Sequence, residues 1–332
     1  MRPMPTPPEK RRYAGFLAAV AIGWVVLAAA GMVYARAKNI PAWAAIPLLG
    51  AFLAEYPFYL VPAFPELRER LRGRVLLLYL LISAVVPYLI TCLGAAEFQW
   101  LSFVRVAALA LAMGLWYVVL PAVAVVDLLF LAMVAAVLIG DYFPALWVPR
   151  WPLKGQLAVL GHVILIQMAV VILMVARRVR ETGYGFLPTA REWRIGALHF
   201  LYFVPIGFPL GLAIQAIGLR ATPAPLWSIP ATILGFLWVI ALSEEFFFRG
   251  VLQQWIEDWT GSRARALILA SVAFGSVHIW FGGPSRFPNW RWFLLASILG
   301  WCCGHARNQA GGIRAAVVTH SLVVATWRAF FA

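Results

Sequence analysis

With 332 residues, 63% of them apolar, 12% charged and a mean hydropathy of +0.85, the chain cannot be a soluble domain, where about a quarter of residues carry charge. Its net charge of +14 does not mark a nucleic-acid binder, because Lys and Arg sit in short segments between apolar runs, where they set topology and touch anionic headgroups. Cys92, Cys302 and Cys303 lie inside apolar segments with no CxxC pair, so neither a disulfide framework nor a cysteine zinc site is supported, and they read as small buried apolar residues.

Residues 1–12 form a Pro-rich, basic arm without hydrophobic periodicity, expected to be disordered and cytoplasmic. Tyr13 to Ala35 is uncharged and long enough to span a bilayer. Further apolar runs are Ile40 to Phe64, Val75 to Ala96, Val106 to Gly140, Gly155 to Ala176 and Ile195 to Leu219. The run from Val106 to Gly140 is too long for one crossing at about 1.5 Å per residue, and Pro121 offers the break. The uncharged stretch Ala221 to Ser243 leads into Glu244, and Ala264 to Gly282, Trp290 to Gly304 and Gly312 to Phe331 complete the chain.

The expected fold is therefore all-α: a polytopic transmembrane bundle of about 10–11 helices, with residues 13–194 an accessory part of unassigned role and residues 195–332 a separate core. Arginines after the second and sixth crossings, together with those before the first, place the amino terminus inside. On that topology Glu244 lies about 22 Å along its helix from Ile229, deep in the hydrocarbon. Tryptophans such as Trp43, Trp100, Trp147 and Trp290 gather at segment ends, as an aromatic belt does.

The polar residues of the last third stand out. An ionisable group inside a membrane helix is retained where it faces a partner or a polar interior. Glu245 and Arg249 are four residues apart and share a helix face, while Glu244 is rotated by about 100°. That spacing predicts an ionised, paired Glu245 and a Glu244 free to react. His278 and His320 each sit in an apolar helix, and two imidazoles with two carboxylates on three nearby helices point to a shared polar centre.

The set Glu244-Glu245-x-x-x-Arg249, Phe274-x-x-x-His278, Gly300-x-x-x-Gly304 and His320 resembles the CPBP family of intramembrane endopeptidases, which includes the CAAX prenyl endopeptidases and bacterial relatives tied to peptide maturation or bacteriocin immunity. The resemblance covers Leu226 to the end and implies a helical bundle around a water-accessible cavity. It implies that Glu244 is the general base for a water, that His278 holds this water, that His320 stabilises the oxyanion, and that Glu245 and Arg249 support them. It also implies a membrane-tethered protein or peptide substrate and a place in a bacterial inner (cell) membrane. Four residues after His320, where many relatives carry Asn or Asp, stands Val324, which has no polar atom. Ser321, Thr326, the Trp327 indole or a backbone amide are the candidates to compensate, and a catalytically weak scaffold or immunity protein is the alternative this departure leaves open.

No cofactor is expected. A zinc ion on two histidines and a carboxylate is the second mechanism, but HExxH spacing is lacking and the resemblance implies a metal-free, glutamate-dependent peptidase. A proton-coupled transporter would need intramembrane Glu and His too, but predicts internal repeats and polar residues spread along a path. Glu55 and Asp127 read as residues near helix ends or in local interhelical hydrogen bonds, His162 and His199 as packing or interfacial residues, and the segment from Trp280 to Trp292 as a connecting loop, with gating of substrate entry as its alternative.

Overall fold

The structure is a computed structural model that describes residues 7–140, 142–150, 153, 155–222, 225 and 228–331. The chain divides into two compact units, Met1–Arg178 and Val179–Ala332. This boundary precedes the one expected at Ile195, because Thr182 and Gly183 already pack on Gly312 and Ile313 of the second unit.

The first unit holds α1 (Pro7–Ala37), α2 (Ala42–Leu60), α3 (Arg74–Thr91), α4 (Trp100–Val119), α5 (Ala124–Ile139) and α6 (Gln156–Val175). Two short strands, β1 (Ala96–Glu97) and β2 (Val148–Pro149), pair antiparallel. Pro121 falls in the break between α4 and α5. The arm expected to lack order is helical from Pro7 on, while residues 1–6 lie outside the described residues. Proline needs no hydrogen-bond partner in a first turn, so it is compatible with a helix start.

Helix α6 packs against α2 to α5 and has most of its residues buried. In α1, by contrast, Leu17, Ile22, Val25 and Val33 are exposed, a pattern that fits acyl chains rather than water. Asp127, buried in the first turn of α5, makes a part-buried bidentate pair with Arg177 at 2.7 Å and accepts from the Tyr117 hydroxyl at 2.9 Å. Glu55, read as near a helix end or in a local interhelical hydrogen bond, lies within α2. It is 1% exposed, and neither carboxylate oxygen has a partner among the described residues.

The second unit holds α7 (Ala190–Ala213), α8 (Ser228–Thr260), α9 (Arg263–Val277), α10 (Trp290–Ala310) and α11 (Ile313–Phe330). Thr189 and Glu192 form a reciprocal capping box at the start of α7. Glu192 also pairs with Arg314 at 2.9 Å, which anchors the start of α11 beside that of α7. Helices α10 and α11 pack on each other and on α7, and α9 lies along α10.

Small residues set these spacings. Gly196 lets α7 approach α11, where Thr319 donates to the Gly196 carbonyl at 2.9 Å. At Gly300 a Cβ would stand 3.0 Å from both Arg249 Nη2 and Ser271 Cα. Gly300→Ala is therefore expected to destabilise the fold by about 1–3 kcal/mol through overpacking, read as a lower midpoint of denaturant unfolding in detergent. An unchanged midpoint would show that α9 and Arg249 are not held as closely as the structure has them.

Among the described residues, seven helices are long and apolar enough to cross a membrane, consistent with an integral membrane protein. About 10–11 were expected. The difference lies in α5 and α9, with 16 and 15 residues, and in α10 and α11, whose arginines and histidines lower their hydropathy. A helix of 15 residues spans about 22 Å, short of a core of about 30 Å.

Candidate active site

Helix α8 carries the two glutamates between two π-helical turns. Ala241–Glu245 is α-helical, flanked by π-helical Phe236–Ile240 and Phe246–Leu252. Such wider turns are a local irregularity often found at functional sites.

Successive positions on α8 send Glu244 and Glu245 in different directions, and His320 on α11 meets both. Its Nδ1 lies 2.8 Å from Glu245 Oε1, and its Nε2 lies 3.7 Å from Glu244 Oε2. Glu245 is fully buried, whereas the Glu244 side chain is one-third exposed. Arg249, also fully buried, faces both Glu245 oxygens: Nη1 to Oε1 at 3.2 Å and Nε to Oε2 at 3.1 Å. A carboxylate so paired stays an acceptor, so the proton between it and His320 belongs to Nδ1. In the neutral ring, His320 Nε2 then carries a lone pair, and it donates only from the doubly protonated ring.

His278 ends α9 and is half-buried. Its Nδ1 lies 2.8 Å from the Phe274 carbonyl, which only accepts, so Nδ1 carries the proton and Nε2 is left as the acceptor. Phe274 is the shared packing surface of the centre. The Arg249 guanidinium stacks over its ring at 4.3 Å, and the His278 and His320 rings lie 4.6 and 5.7 Å from it, centroid to centroid.

Glu244, His278 and His320 line one cavity of about 220 Å³. Its remaining walls are largely apolar and aromatic, with Phe208, Phe236, Phe281, Trp292 and Trp327 prominent, and Val324 lies on it as well. Glu245 and Arg249 stand behind the wall and reach the cavity through His320. Phe281 and Trp292, from the segment read as a connecting loop and its edge, belong to the lining.

One neighbour was not expected from sequence. Cys303 is fully buried, and its Sγ lies with one atom each of Glu245 and His320 inside a 4.8 Å group, the metal-capable set among the described residues. His278 is not part of it; the two histidines and Glu244, weighed as a zinc site, meet at the cavity without forming such a close group among the described residues. The donors of the Cys303 set are committed elsewhere. Glu245 Oε1 receives His320 Nδ1 and Arg249 Nη1, and Cys303 donates to the Ala316 carbonyl at 3.6 Å. A cation there would stand beside a buried guanidinium, which is the wrong charge for it to share a carboxylate with. These residues do not fit a metal. The only sequence signal for Cys303 was its place on the face of α10 that carries Gly300 and Gly304.

A family comparison bears on the same helices. Residues 225–326 match the family described as Type II CAAX prenyl endopeptidase Rce1-like. The segment is an Rce1-like domain, of a family of proteases. It takes in Glu244, Glu245, Arg249, His278 and His320, and it stops one residue before Trp327. No curated protein and no solved structure matches the chain. The Rce1-like match thus spans α8 to α10 and most of α11.

Proposed function

We propose that the Rce1-like domain is an intramembrane endopeptidase that hydrolyses a peptide bond near the end of a membrane-tethered protein or hydrophobic peptide. The observation that carries this reading is the convergence of Glu244, His278 and His320 on one apolar-walled cavity. Glu244 is the general base. It takes a proton from a water that is also held by the lone pair of His278 Nε2. The water oxygen attacks the carbonyl carbon, the carbonyl electrons move onto oxygen, and collapse of the intermediate expels the amine with the proton returned by Glu244. Glu245, fixed by Arg249, holds the His320 ring with Nε2 toward the cavity, where the doubly protonated form stabilises the oxyanion. The aromatic lining suits an apolar substrate chain, including a lipidated one.

The test is cleavage of tethered peptides, with and without a prenyl group, by the purified protein in liposomes. Wild type cuts, His278→Ala falls by about 100-fold or more, and saturating chelator leaves the rate unchanged. Loss of activity with chelator and its return with zinc would contradict the metal-free reading. Val324 on the cavity wall favours a second reading, a weak or inactive member acting as a scaffold or immunity protein. Wild type that binds tethered peptides without cutting any of them would favour that one.

A further inference from the structure

Trp327 carries an indole N–H that the protein leaves unused. On α11 it follows Val324 by three residues and His320 by seven, so the three share a helix face, and all three line the cavity with Glu244 and His278. Its Nε1 is buried and has no hydrogen-bond partner among the described residues. The ring is held edge-on by Trp292, at 4.9 Å between centroids, and by Phe281 at 6.0 Å. Leaving a buried donor without an acceptor is unfavourable, and an orphan of this kind points to a ligand that supplies one.

The histidine N–H groups of the lining are already spoken for. The His278 N–H goes to the Phe274 carbonyl, and the one N–H of a neutral His320 goes to Glu245. Ionised carboxylates only accept, and Val323 and Val324 offer nothing. Arg328 is exposed, with its guanidinium 4.8 Å over the Phe236 ring.

We propose that Trp327 Nε1–H donates to the carbonyl oxygen of the scissile amide and to the oxyanion that this oxygen becomes, filling the place where Val324 has no polar atom. The inference rests on the peptidase reading. In the step, water oxygen bonds to the carbonyl carbon, its proton passes to Glu244, and the carbonyl π pair moves to the oxygen that faces Trp327. When the C–N bond breaks, the pair returns to the carbonyl and Glu244 protonates the leaving nitrogen. The donor is neutral, so it works whichever protonation state His320 holds.

The experiment uses the full chain in liposomes and two probes: a tethered peptide aldehyde, whose hydrate imitates the tetrahedral intermediate, and the matching alcohol. Trp327→Phe keeps an aromatic ring but loses the N–H. It is expected to weaken aldehyde binding by about 10- to 100-fold, leave alcohol binding unchanged, and lower kcat by about 100-fold with KM little affected. Benzothienylalanine at position 327, which exchanges N–H for sulfur in the same ring shape, gives the same result if phenylalanine disturbs packing. Adding Val324→Asn to Trp327→Phe restores at least about 10-fold of the lost aldehyde affinity, because the amide supplies a donor to the same oxygen. Equal aldehyde affinity in wild type and both Trp327 replacements overturns the proposal, and if wild type still cleaves, the peptidase reading stands without it. Wild type that neither cuts the peptide nor prefers the aldehyde overturns both.

Discussion

Glu244→Gln is expected to lower the rate of peptide cleavage by about 100- to 10,000-fold while leaving unfolding and peptide affinity close to wild type. Glutamine keeps the shape of the side chain and can still touch a water, but it has no carboxylate to take the proton. The change should be tolerated by the fold because the Glu244 side chain is one-third exposed and its Oε2 has no hydrogen-bond partner among the described residues. Single-turnover rates and a denaturant titration on the same preparations check both halves. A variant that cuts at the wild-type rate would remove Glu244 from the reaction, and one that loses its fold would make the residue structural.

Arg249→Met is expected to cost about 3–5 kcal/mol of stability, since it leaves the buried Glu245 carboxylate without its guanidinium partner. Methionine matches the apolar stem but cannot replace the guanidinium between Glu245 and the Phe274 ring. The double variant Glu245→Gln with Arg249→Met should recover much of that loss, because no net charge remains enclosed. Activity need not follow, as a neutral amide orients the His320 imidazole less firmly than a carboxylate does. Chemical denaturation of the three variants measures this. Equal stability of Arg249→Met and wild type would mean that the pair is not the structural support of α8 and α11.

The membrane setting and the all-helical class are legible because long uncharged runs such as Tyr13 to Ala35 have few other uses. The number of crossings is less so. In α10 and α11 arginines stand in the first and last turns and His305 and His320 within, which lowers the mean hydropathy of both below that of a plain apolar span. Within the site, the spacing of Glu245 and Arg249 announces an ion pair because i and i+4 share a helix face, and the structure has that pair at 3.1–3.2 Å. What spacing cannot carry is contact between distant helices. That one imidazole bridges Glu245 and Glu244 depends on how α11 seats on α8, and Cys303 beside them depends on the packing of α10. Glu55 in the first unit is of the same kind: its sequence position suggested a helix end or an interhelical hydrogen bond, and only the packing shows both oxygens without a partner among the described residues.

The most direct measurement is cleavage of a tethered peptide in water enriched in ¹⁸O, with mass spectrometry of the new carboxyl terminus under single-turnover conditions. The account predicts that wild type places one ¹⁸O atom in each product through direct attack by solvent, and that Glu244→Gln and His278→Ala form no labelled product on the same timescale. Labelled product appearing at the wild-type rate in either variant would contradict it.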